Sequence, residues 1–421
     1  MSDGLQTSRR APAPLSREAV RAWRNAVFLI FALSGLAVAT WLSRNPAIRD
    51  LLHASTAQMG WVVFGIAAGS IVGLTLSSHV LAVAGPRATI LGCLLVLSGG
   101  LVFAGVGASV LTSMVWVIVG LAVFGAANGM LDVSMNVEGA ANERALGRTV
   151  MPLFHASFSI GTMAGAGLGG LAERLHVPVL AHTAVIAGVL VLGALVAVPR
   201  LQPHPDAPAE PAEDADGHGV SGWRSRLAIW RDSRTVFIGL IVLGMAFAEG
   251  SANDWLALAM VDGHGVSNAT GAFVFGVFVT AMTVGRIVGV TVLDRFGRVP
   301  VLRATAGLAA VGLTLLIVAP APWLAVVGVV LWGLGASLGF PVGMSAAADD
   351  PATAAARVSA VATIGYCAFL VGPPLIGFVG EHVGLLRALL LVLVLVALAG
   401  LTSGAGREPG RTGRTPATPA D

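Results

Sequence analysis

Charged side chains are scarce in this sequence. Only 11% of its 421 residues are Asp, Glu, Lys or Arg, against about 25% in an ordinary soluble domain. Hydrophobic residues make up 56%, and the mean hydropathy is +0.84. A chain with so little charge cannot cover a water-facing surface. This argues against a soluble enzyme, a nucleic-acid binder or a disordered scaffold, and predicts that most of the chain is solvated by lipid.

Cysteine is also rare, and lysine is absent. The two cysteines, Cys93 and Cys367, lie inside apolar runs, so we expect two buried packing residues and no disulfide framework. His, Cys and carboxylate residues do not cluster at the spacing of a zinc site, no P-loop is present, and no Ser or Cys nucleophile has partners nearby. The sequence therefore predicts no catalytic residue, no metal or other cofactor, and no use of ATP.

Long apolar runs and glycine are abundant instead. Twelve runs of about 20 residues are each long enough to cross the ~30 Å hydrocarbon core of a bilayer. Backbone groups in lipid must bond to one another, so these runs are predicted to be helices, and the 54 glycines suit their close packing. The predicted spans are Asn25–Leu42, Met59–Ala82, Ala88–Val106, Ser113–Asn136, Pro152–Leu171, Val179–Val198, Val236–Leu256, Thr270–Leu293, Val301–Ala319, Leu324–Ala346, Val358–Gly380 and Leu385–Leu401.

Arginine placement predicts the orientation of these spans. With the N-terminus inside, 20 of the 25 arginines fall on the cytoplasmic side and four on the other, which leaves Arg286 within the membrane. Both termini are therefore expected in the cytoplasm. The first 24 residues lack the apolar core of a cleavable signal. We expect a multi-pass protein of the plasma or inner membrane.

The chain divides into two halves around a long connection. We expect an N-terminal tail (1–24), a six-helix bundle (25–198), a cytoplasmic linker (199–235), a second six-helix bundle (236–401) and a disordered tail (402–421). The linker begins with a segment rich in Pro, Ala and acids that is expected to be disordered. Its second part places Trp223, Leu227 and Trp230 on one face, which predicts a short amphipathic helix on the inner leaflet. A disordered basic linker is the alternative.

Residue patterns indicate that the halves are repeats. Residues 125–130 read GAANGM and residues 335–340 read GASLGF, in the fourth and tenth spans. Residues 289–298 read GVTVLDRFGR, and residues 372–377 read GPPLIG. This layout resembles the major facilitator superfamily, whose signature is a Gly followed by Asp-Arg-x-Gly-Arg after the second helix of a half. The resemblance implies an all-α polytopic protein, with twelve transmembrane helices in two pseudo-symmetric six-helix bundles, that acts as a secondary transporter.

Two further patterns bear on the type of transport. Residues 132–139 read DVSMNVEG, and residues 152–159 read PLFHASFS, which resembles the bacterial MosC/YbjJ-like branch near the fucose permeases. Residues 161–170 read GTMAGAGLGG, which resembles the fifth-helix signature of drug/proton antiporters, but Ala166 replaces the diagnostic proline. A face of small residues for helix packing is the alternative explanation of this run.

Polar residues inside the spans are the candidate site, because a charge at a helix centre is costly and needs a reason. Asn128, Asp132 and Asn136 recur every four residues in the fourth span and are expected to face a cavity. Glu249 lies near the middle of the seventh span and is the candidate proton carrier, with Asn253 one turn on. Static ion pairs are the alternative role of these acids.

The other candidates are single residues. Asp254 lies nearer the outer surface, where we expect it to act as a gating or capping residue. Arg286 must pair with an acid, either Glu249 or Asp132, or line water. His155 could carry protons or only pack, and Trp332 could stack on a substrate or only pack.

A cytoplasmic gate is expected around Asp294, Arg295 and Arg298 of the family signature. In the resembling family the fifth and eighth helices meet, so we expect Asp294 to approach the helix that starts at Pro152 when the inside is closed.

Together these observations predict a proton-coupled transporter that works by alternating access, a monomer whose partners are a small solute, protons and the lipid bilayer. Uptake of a sugar- or polyol-like solute is the first hypothesis. Proton-driven export of a drug or metabolite is the second, and a non-transporting membrane sensor is the third.

Overall fold

The computed structural model describes residues 16–148, 150–202, 229–350 and 353–407, and its regular elements in these ranges are all helical. Two short 3-10 turns lie at Val198–Arg200 and at Ser403–Gly406. The α-helices are α1 (Arg17–Leu42), α2 (Asn45–Leu52), α3 (Thr56–Ser109), α4 (Met114–Leu146), α5 (Met151–Arg174), α6 (Val179–Ala197), α7 (Ser233–His264), α8 (Asn268–Phe296), α9 (Arg298–Val318), α10 (Pro322–Ala336), α11 (Gly339–Ala347), α12 (Ala354–Val383), α13 (Leu385–Ala388) and α14 (Leu390–Thr402).

Side chains that bond free backbone N–H groups mark several helix starts. Ser55 accepts from the backbone of Gln58, whose side chain accepts from the Ser55 backbone in return, which forms a capping box at the start of α3. Asp232 caps α7 and Ser267 caps α8 by accepting from one backbone N–H each, without the reciprocal bond. These caps satisfy donors that would otherwise be unbonded where the chain enters lipid.

Helix α3 contains two predicted spans. Its 54 residues would extend about 80 Å, more than twice the hydrocarbon core. Gly85 interrupts it with φ 75° and ψ 161°, which only glycine adopts readily, and Pro86 follows. Gly297 separates α8 from α9 with a similar φ of 77° and ψ of 170°. The glycine of the Asp-Arg-x-Gly-Arg signature thus turns the chain between consecutive spans without a loop.

Twelve crossings result. In the described residues ten helical segments are long and apolar enough to cross a membrane, and one of them, α3, is long enough to cross twice. Helix α5 is not among the ten, yet its 24 residues span about 36 Å. The tenth span is not the continuous helix that we expected, because α10 ends at Ala336 and α11 begins at Gly339.

An even number of crossings places both ends of the described chain on one side, which we call the terminal face. The other side carries α2 and is called the α2 face. Residues 17–24 of the expected N-terminal tail already belong to α1. Arg234 donates to the carbonyls of Ala405 and Arg407, so the first residues of the expected C-terminal tail are held. Most of the predicted amphipathic helix lies in residues 203–228, outside the described residues.

Glycines set the distance between helices. A Cβ on Gly69 or Gly73 of α3 would collide with the carbonyls of Ala122 and Ala126 on α4. A Cβ on Gly125 or Gly129 of α4 would collide with the backbone of α3 in return: the carbonyls of Ile66 and Ser70 lie against them. The backbones therefore touch directly, as small residues allow in membranes.

The two cysteines differ in environment. Cys93 is buried in the core of the first half, as predicted. Cys367 is exposed on α12, so the prediction of a second buried cysteine is wrong. An apolar helix presents one of its faces to lipid or to a cavity, and hydropathy alone does not identify that face.

Contacts join the helices mainly within each half of the chain. Helices α3, α4, α5 and α6 pack with α1 or with one another, and α7 to α14 pack among themselves. Across the halves the main contacts are α5 with α8 and α3 with α12. The boundaries of two bundles at 25–198 and 236–401 stay a prediction.

We expect Gly73→Ala to lower the stability of the protein by about 1–3 kcal/mol, because its Cβ must displace the α4 backbone. Gly99→Ala is the matched control, since nothing lies within 4 Å of a Cβ there; it is expected to be neutral or stabilising by up to about 1 kcal/mol. Thermal unfolding in detergent measures both. Equal effects of the two substitutions would contradict close packing at Gly73.

Candidate functional site

An ion pair lies in the middle of the second half. Nη2 of Arg286 on α8 donates to both carboxylate oxygens of Glu249 on α7, at 2.9 and 3.0 Å. Nε of Arg286 also donates to the backbone carbonyl of Ser337 at 3.4 Å, at the break between α10 and α11. Of the two partners considered from the sequence, Arg286 therefore contacts Glu249 and not Asp132. Both side chains are partly exposed, at 37% for Arg286 and 19% for Glu249.

The polar side chains of α4 lie in the first half. Asn136 Nδ2 donates to the backbone carbonyl of Asp132 at 2.8 Å and reaches its carboxylate at 3.4 Å. Ser34 Oγ on α1 donates to Asn128 Oδ1 at 3.3 Å. Asp132 is exposed, and within the described chain its carboxylate forms no ion pair.

Asp132 and Asn136 line a cavity of about 440 Å³ between the halves. Leu74 of α3 forms one wall, and Tyr366 of α12 contributes from the second half. Arg144 lies toward the terminal face of the same cavity, 12 residues or about 18 Å along α4 from Asp132. An acid, an amide and a phenol can all bond to a polar solute here.

Other expected site residues have different surroundings. His155 is exposed, with its ring edge against Phe31 at 5.2 Å. Asn253 and Asp254 are half-buried on α7, and the Asp254 carbonyl accepts from Asn45 Nδ2 of the first half at 3.2 Å. No hydrogen bond or ion pair joins Asp132 to His155 in the described chain.

Trp332 does not line the cavity. It is fully buried in the core of the second half, where its ring meets Phe278 edge to face at 5.3 Å. Our expectation that Trp332 could stack on a substrate is therefore not supported, because its ring is used in helix packing.

Polar contacts close the α2 face. Nη1 of Arg49 donates to both oxygens of Asp262 at 2.5 Å, and Nδ2 of Asn268 donates to Asp50 at 2.8 Å. Each contact joins the short helix α2, or its end, to the second half. Among the described residues, every hydrogen bond and ion pair that joins the halves lies near this face.

Helix α12 completes this closure. Gly60 on α3 packs so closely that a Cβ there would lie 2.8 Å from the carbonyl of Pro373. Glu381 accepts from the backbone N–H of Ala57 at 3.2 Å, in the first turn of α3. This hydrogen bond and the helix end lower the pKa of the Glu381 carboxyl below its usual range. Its contribution to closure is present above the usual glutamate pKa and is lost only as the pH falls through the lowered value.

The terminal face has no such contacts between halves in the described chain. Asp294 is exposed there, and Arg295 lies over the Phe296 ring at 5.4 Å. Arg298 donates to Asp349 at 2.7 Å, and Arg234 donates to the same carboxylate at 2.7 Å. Arg298 therefore stabilises contacts within the second half. The approach of Asp294 to α5 in a closed state stays a prediction.

A different acid occupies the start of α5. Glu143 Oε2 accepts from the backbone N–H groups of Val150 and Met151, both at 2.7 Å. These two bonds lower the pKa of the Glu143 carboxyl. The first half therefore supplies its own cap at the helix end where we expected Asp294.

Sequence reasoning missed several of these residues. Tyr366 is the only tyrosine in the chain, and that rarity inside an apolar span was a usable signal. Pro46 at the first turn of α2, followed by Arg49 and Asp50, was a signal for a short surface helix. No pattern linked Arg49 to Asp262, because they lie 213 residues apart.

The sequence of this chain is similar to those of known membrane proteins. The family model described as Major Facilitator Superfamily matches residues 26–368 and 245–419. An uncharacterized MFS-type transporter of Yersinia pestis is 31% identical over 382 residues, which cover 90% of this chain and 93% of that protein. The membrane protein MosC of Rhizobium meliloti is 28% identical over 380 residues, covering 89% and 88%.

Solved structures share the fold. A bacterial homolog of the human lysosomal transporter Spinster, inward-facing and occupied, has a TM-score of 0.69 at 14% identity and covers 93% of this chain and 97% of its own. A D-xylose-proton symporter has a TM-score of 0.67 at 13% identity, covering 92% and 97%. The transporter FucP in the outward conformation has a TM-score of 0.60 at 16% identity, covering 92% and 100%. These similarities confirm the predicted all-α polytopic fold.

We expect Glu249→Gln and Arg286→Gln each to lower the melting temperature, because each leaves one charge unpaired in a span. The double substitution is expected to cost less than the sum, with a coupling of about 0.5–3 kcal/mol, nearer the lower bound because Arg286 is more than a third exposed. Arg174→Gln, at an exposed helix end, is the control. Additive effects would show that the pair does not contribute to stability.

We also expect Arg49→Gln to raise access to the site from the α2 face. A partly exposed pair is worth about 0.2–1 kcal/mol, so the open population should rise roughly 1.4- to 5-fold. Ala166→Cys, introduced with Cys93 and Cys367 replaced by Ser, is the reporter, because Ala166 is buried between α5 and α8. Faster thiol labelling from the α2 face measures opening.

The control for this measurement is Arg387→Gln, which removes an exposed charge from the same face. Charge exchange, Arg49→Asp with Asp262→Arg, is expected to restore slow labelling. If Arg49→Gln and Arg387→Gln label at the same rate as the parent, the Arg49–Asp262 pair does not hold the face closed.

Proposed function

The chain belongs to the Major Facilitator Superfamily, and we propose that it is a secondary active transporter that couples the movement of a small polar solute to protons. As a member of this family it is a multi-pass membrane transporter and not an enzyme. The observation that carries the proposal is the Glu249–Arg286 pair, two charges held in the spans and partly accessible.

The proposed orientation puts the terminal face in the cytoplasm. The topology predicted from the sequence assigns 20 of the 25 arginines to this side, and the positive-inside rule favours the cytoplasm for the arginine-rich side. The α2 face is then external, and the closure by Arg49, Asp262 and Glu381 makes this arrangement inward-open. Alternating access would break these contacts and close the terminal face instead. We propose the plasma or inner membrane as the location and a monomer as the working unit.

Proton coupling is proposed to run through Glu249. In this arrangement Nη2 of Arg286 donates to both carboxylate oxygens of Glu249, so the two opposite charges lie in direct contact. If a conformational change separates the two, the anion remains in surroundings that solvate it poorly, and proton uptake neutralises it. Asn45, at the start of α2, donates a hydrogen bond to the Asp254 carbonyl of α7. Movement at the α2 face can therefore reach the helix that carries Glu249.

A sugar- or polyol-like cargo is the favoured class. The cavity of about 440 Å³ is of the size that holds a small ligand. Asp132, Asn136 and Tyr366 offer acceptors and donors for hydroxyl groups. The D-xylose-proton symporter and FucP, which a second solved structure names as a fucose:proton symporter, share this fold and support this class by what their own names describe.

Export of a drug or metabolite by antiport is less well supported. The small-residue run of α5 is used for packing: a Cβ on Gly161 would collide with the carbonyl of Ala32 on α1, and a Cβ on Gly170 would lie 3.1 Å from the Phe273 ring. Helix packing thus accounts for the residues that resembled the antiporter signature.

We expect Glu249→Gln to abolish accumulation of solute driven by a pH gradient while solute binding stays near normal, because the amide cannot exchange a proton. The measurement uses proteoliposomes with an imposed pH gradient and a panel of labelled monosaccharides, polyols and nucleosides. Solute-dependent thermal shifts measure binding separately.

The matched control is Glu18→Gln, which neutralises an exposed acid in the first turn of α1. It should accumulate solute as the parent does. Equal accumulation by the Glu249→Gln variant and the parent would remove Glu249 from coupling. Uptake of a panel member down its own gradient, without response to pH, would leave a transporter but contradict proton coupling.

A further inference from the structure

A groove of about 560 Å³ runs along the outside of the second half, away from the cavity. Helix α8 forms one wall and α9 the other, with Leu334 at the end of α10 and the break at Ser337 and Leu338 as the floor. Its walls are mostly apolar, and several side chains along them are exposed, among them Val288 at 54% and Phe296 at 57%. Exposed apolar side chains at this depth face lipid.

The length of the groove matches one leaflet. Its α8 wall extends from Val284 to Phe296, which is 12 residues or about 18 Å along the helix axis. Half of the ~30 Å hydrocarbon core is about 15 Å. The groove therefore runs from near the membrane centre to the terminal face, with Phe296 and Pro300 at the end where a lipid headgroup would lie.

One cation stands at that end. Arg295 follows Val288 and Val292 by seven and three residues, so it continues the stripe of α8 that lines the groove. Arg295 is exposed and lies over the Phe296 ring. In the described chain it forms no ion pair, and neighbouring Asp294 is turned about 100° away around the helix.

The other arginines nearby are engaged. Arg298 donates to Asp349 and to Ser345, at 2.7 and 2.9 Å. Arg303 Nε donates to Ser403 Oγ at 3.1 Å. Arg295 is therefore the arginine best placed to meet an anion at the mouth of the groove.

We propose that this groove binds an anionic phospholipid of the leaflet at the terminal face, with one acyl chain between α8 and α9 and the phosphate at Arg295. The apolar walls are about as long as one leaflet is thick, which suits an acyl chain. A guanidinium at the depth of the headgroups attracts a lipid with net negative charge. The groove floor includes Ser337, whose carbonyl accepts from Arg286. The acyl chain would therefore pack directly behind the Glu249–Arg286 pair.

The test compares the full-length protein in nanodiscs of phosphatidylcholine with and without phosphatidylglycerol. Phosphatidylglycerol is expected to raise the melting temperature of the parent, and Arg295→Gln is expected to lose most of that rise. Arg148→Gln, an exposed arginine of the same face outside the groove, is the control and should keep it. Native mass spectrometry counts the retained phosphatidylglycerol in each variant.

A second pair of variants tests the acyl chain. Ala304→Trp fills the groove with Arg295 intact and should also lose the rise, whereas Val311→Trp, exposed on α9 outside the groove, should keep it. Val288→Phe is the smaller filling variant if Ala304→Trp does not fold.

Three results would overturn the proposal. The first is no stabilisation of the parent by phosphatidylglycerol. The second is an equal loss in Arg295→Gln and Arg148→Gln, which indicates general surface attraction. The third is an undiminished rise in both groove-filling variants, which indicates headgroup contact without a bound chain.

Discussion

Direct contact between helix backbones is the constraint on which this structure depends. Lipid gives membrane helices no hydrophobic reason to associate, so close packing must hold them together. Gly69 and Gly73 of α3 leave no room for a Cβ beside the α4 backbone, and Gly125 and Gly129 of α4 leave none beside the α3 backbone. Gly161 of α5 lies on α1 in the same way, and Gly328 of α10 lies on Gly312 of α9. Rigid groups of helices follow from these contacts.

The polar site exists because this packing is incomplete between the halves. Helices α3 and α12 touch at the α2 face through Gly60 and Pro373, and toward the terminal face they leave the cavity that holds Asp132 and Tyr366. Arg286 finds Glu249 on the adjacent helix of its own half. The charged pair can therefore stay intact while the halves move relative to each other, and its separation requires a change within the second half.

The sequence predicted the fold better than the site. Apolar runs of membrane length define the spans, and the scarcity of charge identified Glu249, Arg286 and Asp132. The orientation of each helix about its axis was not readable, because these helices are apolar all round and carry little amphipathic signal. For that reason the choice between stacking and packing stayed open for Trp332, which is buried, and Tyr366 was overlooked although it lines the cavity. Pro341 follows the break after Ala336 and cannot donate to the carbonyl of Ser337 four residues earlier, a usable signal that we missed.

The closure of the α2 face explains how a rigidly packed protein can still change state. Each half is held by backbone contacts that are costly to break. The halves are held to each other by a few polar contacts, among them Arg49 with Asp262 and Glu381 with Ala57, and these remain partly exposed to water. Exposed contacts of this kind are individually weak. The energy of closure can therefore be offset by a few new contacts at the terminal face or by a bound solute, so the two arrangements stay close in free energy while each half keeps its own packing.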